Sequence, residues 1–479
     1  MKLLRVMFAV ALGVSGCSDD APGSAERDVG LDQSGAMDGA NQDGRIDTSP
    51  DVTGRTDTAD SGQDTGHEDS GVTFVDASDL NSNDVRDLGE RIPTCGVESE
   101  LLVSNASVPD GFCAYYWATG LGSPRGLTIA PNGDVLVVNR NSGQVLATFD
   151  QDGDGVSGDE ERAVIASASG LNHGIAVDDG YLYASSSTTV YRWAYSGERS
   201  DLGASSVVIS GIPGGGHSTR TLVFDDEGNL YVSVGSASNV DSDSSRSRIR
   251  RFSLDTIPEG GISFGDGEVF ADGMRNEVGL TFDGRGRLWG VENGFDNANR
   301  DDLGGDVHQD NPAEELNLID SPGRFYGYPY CWTEYQLEQG LGRGTQWAHE
   351  SFMNDGTHSD AWCRNPENVV RPALAMQGHS APLGLSFYNG NSFPAAYQGD
   401  IFIAFHGSWN RDEPTGYKVV HVPMVNGLPA GQVNDFLEYG GNAGLGDWPH
   451  RPVDVAVAPN GQLLISSDAS GVIIAIGHE

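Results

Sequence analysis

One short pattern, two apolar strands joined by a glycine-containing turn, recurs six times and constrains the fold more than any other feature. The copies read GLTIAPNGDVLVV from Gly126, GIAVDDGYLYA from Gly174, TLVFDDEGNLYVSV from Thr221, VGLTFDGRGRLWGV from Val278, LGLSFYNGNSFPAAYQGDIFIAF from Leu383 and VDVAVAPNGQLLISS from Val453. Each copy predicts a β-hairpin, because alternating apolar residues suit strands and Gly, Asn and Asp suit the turn. Hairpins that recur at roughly 40 to 100 residues indicate a β-propeller. We predict an all-β fold, a six-bladed β-propeller over residues 92–479.

The residues just before each hairpin share a position in such a fold. The inner strands of a propeller surround one axis, so the residues that precede them meet at one end of it. These residues are Arg125, His173, His217 to Arg220, Arg275 with Asn276, His379 to Pro382, and Arg451. They predict a polar axial pocket, in which His173 and His379 are either ligand contacts or structural histidines. Arg125 is either part of the pocket wall or a partner in a salt bridge between blades.

The charge balance restricts the partners of the protein. The chain of 479 residues has 69 Asp and Glu against 28 Lys and Arg, a formal net charge of −41. Nucleic acids and anionic membrane surfaces are bound by Lys and Arg, so this excess of acid argues against both. It fits a soluble, extracytoplasmic protein.

The first 91 residues read as targeting and linker segments. Residues 1–17, MKLLRVMFAVALGVSGC, combine a basic start, a short apolar core and small residues before a cysteine, which predicts a lipoprotein signal and a lipid anchor on Cys17. A standard signal peptide or a short membrane anchor is the alternative. Residues 18–91 are rich in Asp, Gly, Ser and Thr, and we expect a disordered acidic tether. The protein would then sit in the periplasm, on the outer membrane or at the cell surface.

Four cysteines follow Cys17, and an even number in an exported protein predicts two disulfides. Of the three possible pairings we expect Cys95 with Cys113 and Cys331 with Cys363, because each pair closes a local loop. Metal ligation is the competing interpretation, but no CxxC spacing supports it.

A calcium loop is predicted at DQDGDGVSGDEE, from Asp150 to Glu161. Carboxylates at alternate positions, a glycine sixth and a glutamate twelfth place oxygen ligands around a hard cation. The candidate ligands are Asp150, Asp152, Asp154, the Val156 carbonyl and Glu161. Ser157 stands where an apolar residue is usual and no flanking helices are evident, so a solvated acidic loop is the alternative.

Several separated motifs carry a resemblance to a known family. The order GMRNEVGL, ENG, EELNLI and YGYPYC, with GGHSTRTLVF before it and HGSWNR and RPVDVAVAPNGQLLISSD after it, resembles the pyrroloquinoline quinone (PQQ) dependent glucose/sorbosone dehydrogenases over residues 111–476. The resemblance is closer to the sorbosone and pyranose dehydrogenase branch. It implies oxidation of a sugar or related polyol or aldehyde by hydride transfer to PQQ, a cofactor-bound calcium ion, and electrons passed to a quinone or cytochrome acceptor.

The resemblance also implies roles for single residues. His217 matches the catalytic base, and Arg275 matches the arginine at the quinone carbonyl, with Asn276 on the same edge. Gly294 and Phe295 match the positions whose backbone carbonyls bind the cofactor's calcium, and Arg451 matches a clamp on a cofactor carboxylate. From their places at the mouth, Arg220, Arg125 and His406 are further candidates for contact with the cofactor.

The chain departs from the family pattern at four places. Ser236 stands where glucose dehydrogenases have an aspartate that orients the histidine, and Val453 stands where a second clamp arginine is expected. An insertion runs from Asn297 to Pro312, and no residue matches a lysine near the cofactor, although His406, Trp409 or Arg411 could replace it. A calcium-dependent sugar lactonase and a non-catalytic carbohydrate-binding propeller are therefore alternatives. The lactonase needs carboxylates and Asn in the axial pocket, where this chain has His and Arg.

Overall fold

The structure is a computed structural model that describes residues 95–442, 445 and 448–479. The predicted signal segment (1–17, with Cys17), the predicted tether (18–91) and the first residues of the predicted propeller segment lie outside the described residues. The predictions made for them therefore stay predictions.

Six sheets of at least four strands, numbered here as blades 1 to 6, make up the described chain. Each blade is given from its inner strand outward. Blade 1 consists of Pro124–Ile129, Val135–Asn139, Gln144–Thr148 and Arg162–Ser167. Blade 2 consists of Leu171–Asp178, Tyr181–Ser186, Val190–Ala194 and Ser206–Ser210, with Ile262–Ser263 added at its outer edge. Blade 3 consists of Leu222–Phe224, Leu230–Val234, Arg248–Phe252 and Glu268–Asp272, with Arg324–Phe325 at its outer edge.

The other three blades have the same order. Blade 4 consists of Glu277–Phe282, Leu288–Glu292, Glu314–Ile319 and Leu374–Met376. Blade 5 consists of Pro382–Phe387, Ile401–Phe405, Lys418–Val422 and Asn434–Tyr439, with Ala106–Ser107 at its outer edge. Blade 6 consists of Pro452–Val457, Leu463–Ser467, Val472–His478 and Phe112–Ala118.

The blades close into a ring. Each inner strand contacts the inner strand of the next blade, and the inner strand of blade 6 contacts that of blade 1. Blade 6 takes its outer strand from the other end of the described chain, since Phe112–Ala118 pairs antiparallel with Val472–His478. This pairing leaves no open gap between the first and last blades, where an unpaired edge could join another chain. The predicted all-β, six-bladed β-propeller is confirmed.

Helices are few and short. The one α-helix of the described residues is Asp360–Arg364, and the 3₁₀ turns are Ser99–Leu101, Asp159–Glu161, Phe264–Asp266, Asp301–Leu303, Glu350–Phe352 and Ala395–Tyr397. Three small hairpins lie outside the blades: Asn299–Arg300 with Gly305–Asp306, Cys331–Thr333 with Gln346–Ala348, and Met424–Val425 with Leu428–Pro429. Within the described part of the chain, no helix combines the length and apolarity needed to cross a membrane.

Apolar layers between neighbouring blades hold the ring together. Trp193, Trp289 and Phe402 are fully buried in three of these layers, and a buried side chain of this size contributes roughly 1.5–3 kcal/mol. Both predicted disulfides, Cys95–Cys113 and Cys331–Cys363, are present. The first ties the start of the described chain to the closing strand of blade 6.

Candidate functional site

Functional side chains collect at the end of the axis where the inner strands begin. The second strand of each blade runs antiparallel to the first, so it ends there as well. Residues before an inner strand and residues after a second strand therefore share one rim. Of the predicted residues, His217, Arg275 and Asn276 lie on the side of blades 3 and 4, and Arg125, His406 and Arg451 lie on the side of blades 1, 5 and 6.

Two buried arginines shape the loop that carries His217. Arg220 is fully buried and donates to the carbonyl oxygens of four residues, namely Ser187, Pro213, His217 and Thr219. Arg246 donates to the carbonyls of Gly214, Gly215 and Gly235. Every hydrogen bond these two guanidinium groups make within the described chain goes to a backbone carbonyl, so their positive charge is not neutralised by a carboxylate. Burial and the charge of Arg246 lower the pKa of Arg220 to about 9.

The ring of His217 is held through its Nδ1 atom. Nδ1 lies 3.0 Å from the Ser236 hydroxyl oxygen and 3.1 Å from the Ser236 carbonyl oxygen. The Ser236 hydroxyl donates to the Ser238 carbonyl at 2.7 Å, so its oxygen faces Nδ1 as an acceptor. Two acceptors at Nδ1 require the proton to be there, and Nε2 then carries the free lone pair. This is the tautomer that a base needs.

The surroundings keep His217 neutral. Burial of the ring, and then the positive charges of Arg275, Arg246 and Arg220, lower the pKa of His217 to about 3. The side chain is half-buried at the rim. An uncharged imidazole with a free Nε2 can accept a proton throughout the physiological pH range.

Arg275 lies beside His217 and is held by both neighbouring loops. Its guanidinium donates to the Gly294 carbonyl at 2.6 Å and to the Asn239 side-chain oxygen at 2.9 Å, and it pairs with Asp296 at 3.2 Å. Tyr328 supports this arrangement by donating to the Asn239 carbonyl at 3.1 Å. The guanidinium is therefore fixed in one orientation, as expected for a group that stabilises developing charge.

Asn276 is buried behind Arg275. Its amide donates to the Asn293 side-chain oxygen at 3.0 Å, and the Asn293 amide donates to the Pro382 carbonyl at 2.7 Å. Gly235 is required here, because a Cβ at that position would lie 2.5 Å from the Asn276 side-chain oxygen. This small network links the inner-strand entries of blades 4 and 5.

Across the axis, a second cluster joins blades 1, 5 and 6. Asp468 accepts from Arg125 at 2.7 Å and from His406 at 3.0 Å, and Arg451 donates to the carbonyls of His406 and Gly407 at 3.1 and 3.0 Å. Burial acts to raise the pKa of Asp468, but the hydrogen bond from His406 and the charge of Arg125 hold it well below its usual range. Burial lowers the pKa of His406 to about 4 even though Asp468 opposes this. Arg125 thus forms the salt bridge between blades that was one of its two predicted roles.

The two histidines with open interpretations have different environments. His379 donates its Nε2–H to the carbonyls of His308 and Asn311, so it holds the insertion and serves as a structural residue. His173 is buried at the axis, and burial with the charge of Arg125 places its pKa well below 6.5. Its Nδ1 has no hydrogen-bond partner among the described residues, and neither has the Nε of Arg125.

A large axial cavity does not coincide with this rim. A cavity of about 1310 Å³ follows the axis from His173 towards the hairpin turns around Asp178 and Asp225, at the opposite end of the propeller. A space of about 20 Å³ lies against Arg275, Gly294 and Phe295. The predicted base, His217, and the fixed arginines lie at the rim instead.

The insertion from Asn297 to Pro312 lies over the rim next to blade 5. Arg411 donates to the Gln309 carbonyl and pairs with Asp310 at 2.8 Å, and His379 holds the same segment from below. Arg411 is thus occupied, whereas Trp409 is 57% exposed.

One predicted ligand contact does not agree with the structure. Arg220 was expected to contact the cofactor, but it is fully buried and its donors are used by the loop it supports. The Gly294 carbonyl was expected to bind calcium; it accepts from Arg275 at 2.6 Å, and its role as a calcium ligand stays a prediction. Phe295 at the neighbouring position is buried against His349, with ring centroids 4.7 Å apart. Val453 is buried among Val278 and Leu383 and offers no charge to a ligand.

The predicted calcium loop has the geometry of a cation site. Asp150, Asp152, Asp154 and Glu161 bring one carboxylate oxygen each to within 4.8 Å of the others. Glu161 accepts from the backbone of Gly158, Gln151 and Asp152, which holds its pKa below the usual range. Val156 donates its N–H to Asp154 at 3.0 Å. The Tyr115 hydroxyl, from the outer strand of blade 6, anchors the loop at the Gly155 carbonyl.

Sequence reasoning missed several residues of the rim. Asn239, Asp296 and Asp468 fix the arginines, and Arg246 supports the loop of His217. Asp296 and Asp468 follow second strands that end at the rim, so the hairpin repeat itself could have identified them. Arg246 lies in a loop without any such signal.

Comparisons with known proteins find relatives that match most of the propeller. A family model described as TrAA12-like matches residues 106–479. A PQQ-dependent pyranose dehydrogenase of Coprinopsis cinerea is 32% identical over 77% of this chain and 54% of its own length, and a PQQ-dependent sugar dehydrogenase of Hypocrea jecorina is 30% identical over 77% and 88%. The chain thus spans about half the length of the Coprinopsis relative. The solved holo form of the Coprinopsis pyranose dehydrogenase PQQ domain has a TM-score of 0.69 and 30% identity, covering 78% of this chain and 97% of that one.

Proposed function

Because the chain belongs to the TrAA12-like family, we propose that it is a PQQ-dependent sugar dehydrogenase that acts on a pyranose or a related sugar. The observation that carries the proposal is a neutral histidine with a free Nε2 beside a fixed arginine, at a rim rich in buried positive charge. Both named relatives are PQQ-dependent dehydrogenases of sugars.

The residues of the rim suit an anionic quinone. PQQ carries carboxylates, and Arg220 and Arg246 leave their charge unneutralised beneath the mouth in a protein whose net charge is −41. The unpartnered Nδ1 of His173 and Nε of Arg125 are buried polar atoms that a ligand can satisfy. We assign the hold on the cofactor to Arg275, Asn276, Arg451, Arg125 and His406, and we withdraw Arg220 as a direct contact.

The reaction follows from the positions of these groups. PQQ, when bound, supplies the electrophilic carbon that accepts a hydride from the sugar. His217 accepts the hydroxyl proton of the sugar at Nε2 while Ser236 keeps its other proton on Nδ1. Asn239 and Gly294 fix the Arg275 guanidinium. It would stabilise negative charge on the carbonyl oxygen of a bound quinone. Trp409 at the exposed edge of the mouth is available to a sugar ring.

The test uses the purified full-length chain with PQQ and calcium chloride. We expect quinone absorbance on the protein and reduction of a dye with at least one pyranose or with sorbosone. His217→Gln should lower kcat by roughly a hundred to ten-thousand-fold with little change in PQQ affinity, while His358→Gln, remote from the rim, should behave as the parent. Hydrolysis of a sugar lactone without PQQ, or a parent protein that binds no quinone, would contradict the proposal.

We also propose that the loop at Asp150 binds a structural calcium ion through Asp150, Asp152, Asp154, the Val156 carbonyl and Glu161. The convergence of four carboxylates within 4.8 Å supports this. Asp154→Asn should weaken calcium binding in a titration of the chelated protein and reduce the rise in Tm on adding calcium. Glu160→Gln, an exposed acid outside the ligand set, is the control.

The location of the protein is a separate proposal. The first 17 residues, and two disulfides that need an oxidising compartment, support an extracytoplasmic lipoprotein anchored through Cys17. Cys17→Ser should move the protein from the membrane fraction to the soluble fraction. Equal distribution of both forms would contradict the anchor. A quinone or cytochrome as the electron acceptor likewise remains a proposal that rests on the resemblance.

A further inference from the structure

The insertion from Asn297 to Pro312 is a fixed wall beside the mouth, because both of its ends are anchored. Arg300 is buried and donates to the Ala348 carbonyl at 2.8 Å and pairs with Asp360 at 3.1 Å, both in the segment between the third and fourth strands of blade 4. Leu303 is buried against the tryptophans of that segment. The contacts to blade 5 described above hold the other end. The side chains of the insertion therefore have set positions before a ligand arrives.

The insertion carries an aspartate–histidine pair. Oδ1 of Asp306 lies 2.5 Å from Nδ1 of His308 and also accepts the backbone N–H of His308 at 3.1 Å. An aspartate is ionised near neutral pH and can only accept hydrogen bonds. The shared proton therefore belongs to Nδ1, and the neutral ring presents Nε2 as an acceptor.

This pair lies close to the site of the proposed reaction. His379 donates its Nε2–H to the His308 carbonyl at 2.5 Å, and the two rings have centroids 6.3 Å apart. Nδ1 of His379 lies 3.9 Å from Asp296, which pairs with Arg275 at 3.2 Å. Two side chains, those of His379 and Asp296, thus bridge the distance from His308 to Arg275.

The ring of His308 can be reached from the mouth. Its side chain is 21% exposed, and within the described residues Nε2 has one hydrogen bond, a long one of 3.4 Å to the Gln309 amide. Gln309 in turn accepts from the Asp412 N–H at 3.3 Å, on the loop that carries the exposed Trp409. A sugar ring has an apolar face that an aromatic ring can cover and hydroxyl groups at its edge that need acceptors. Trp409 and His308 offer these two kinds of contact on one side of the mouth.

We propose that His308, oriented by Asp306, binds a hydroxyl group of the sugar away from the reacting carbon and thereby determines which pyranoses the protein accepts. The inference rests on the proposed function for the identity of the ligand. The sugar hydroxyl donates to Nε2 of His308 in place of the long bond from Gln309. An analogue that lacks this hydroxyl leaves the acceptor without a partner, which is how a polar site rejects a substrate of nearly the same shape. Asp306 is a positioning residue, since it acts only through His308.

The chain offers a matched control for this pair. Nδ1 of His358 lies 2.5 Å from Oδ2 of Asp355, and the His358 ring stacks on Tyr330 with centroids 3.7 Å apart. The hydrogen bond is the same as that between His308 and Asp306, but it lies in the segment between the third and fourth strands of blade 4. Substitutions at His358 therefore measure the general effect of losing an aspartate–histidine pair.

The first measurement is turnover with PQQ and calcium on a pyranose and its set of monodeoxy analogues. His308→Phe should raise KM about tenfold and change kcat by less than about threefold, because it removes a contact made equally in the ground and transition states. For one analogue the kcat/KM of the parent should fall about tenfold, as expected for one lost hydrogen bond, and that of His308→Phe should not fall. His308→Gln restores an acceptor and should recover part of the loss, and His358→Phe should behave as the parent.

The second measurement does not depend on turnover. Selective ¹⁵N labelling of histidine reports each ring in the full-length protein, with and without PQQ. Adding the sugar should shift the Nε2 signal of His308, which is assigned by its absence in His308→Phe, and should leave the signals of His358 in place. Asp306→Asn should convert His308 from the Nδ1–H form to a mixture of tautomers and weaken the response to sugar.

The outcomes separate this inference from the proposed function. If the parent oxidises sugars, and His308→Phe matches it in KM and in its preference among the analogues, the role of His308 is wrong. If sugar shifts the His308 signal but the parent never reduces a dye with PQQ, the sugar contact stands and the dehydrogenase proposal fails. Thermal unfolding checks each variant, and His308→Gln is judged by the same measurements if His308→Phe does not fold.

Discussion

Replacing His217 by Gln should make the fold more tolerant of acid, although it removes the proposed base. A histidine has a pKa of about 6.5 in the unfolded chain, and burial beside Arg275 lowers that of His217 to about 3 in the folded protein. Between these values the unfolded state binds more protons than the folded state. Stability is therefore fully present above pH 6.5 and is lost as the pH falls towards 3.

The magnitude follows from that difference. For a fully shielded ring, this difference in proton binding lowers the free energy of unfolding by about 3 kcal/mol at pH 4. The half-buried position of His217 reduces that loss to ~2 kcal/mol. Glutamine has no such titration. The free energy of unfolding of His217→Gln should therefore fall by ~2 kcal/mol less than that of the parent between pH 7 and pH 4. At pH 7 the free energy of unfolding of His217→Gln should be only about 1 kcal/mol below that of the parent, because the hydrogen bond at Nδ1 is removed.

Urea unfolding at pH 7 and pH 4, with and without the substitution, measures this directly. The neighbouring histidines His173 and His406 are present in both proteins, so their contributions cancel in the double difference. If parent and variant lose the same free energy between the two pH values, His217 is not held neutral by the fold. The argument that His217 is an uncharged base throughout the physiological pH range would then be refuted as well.

Three further changes test other parts of the structure. Arg275→Lys keeps the charge but cannot span Asn239 and Gly294, so turnover should fall at least tenfold and PQQ should bind more weakly, as a cofactor titration would show. Asp468→Asn leaves Arg125 buried without its partner and should cost about 3 kcal/mol in urea unfolding; a loss below 1 kcal/mol would contradict the role of this salt bridge. Replacing both Cys331 and Cys363 by Ser removes a disulfide that closes 32 residues, which should lower the unfolding free energy by about 3–4 kcal/mol; reduction of the parent also breaks Cys95–Cys113 and should cost more than this.

Much of the fold could be predicted because its information is local. Each hairpin copy carries its own alternation and turn, and six such copies leave few architectures that bury their apolar faces. The rim was predicted for the same reason, since His217, Arg275 and Arg451 precede inner strands and Arg125 and His173 lie near the start of theirs, before the predicted hairpins. The two disulfides were predicted from the short loops that they close.

The direction in which a side chain points was not predictable in this way. Arg220 and His217 are three residues apart on one loop, yet the first is fully buried among carbonyls and the second faces the rim. The Gly294 carbonyl is used by an arginine from the other side of the blade 4 hairpin. His379 holds an insertion about 70 residues before it in the chain, which no local pattern indicates.

The amino-acid sequence by itself thus determined the number of blades, the end of the axis at which the polar residues meet, and the presence of a histidine and an arginine there. Those features depend on strand periodicity, which is a property of short segments. Only the tertiary structure decided the tautomer of His217, the partners of Arg275 and the charge left unneutralised at Arg220 and Arg246. These depend on which donor meets which acceptor across blades, and such contacts exist only once the ring has closed.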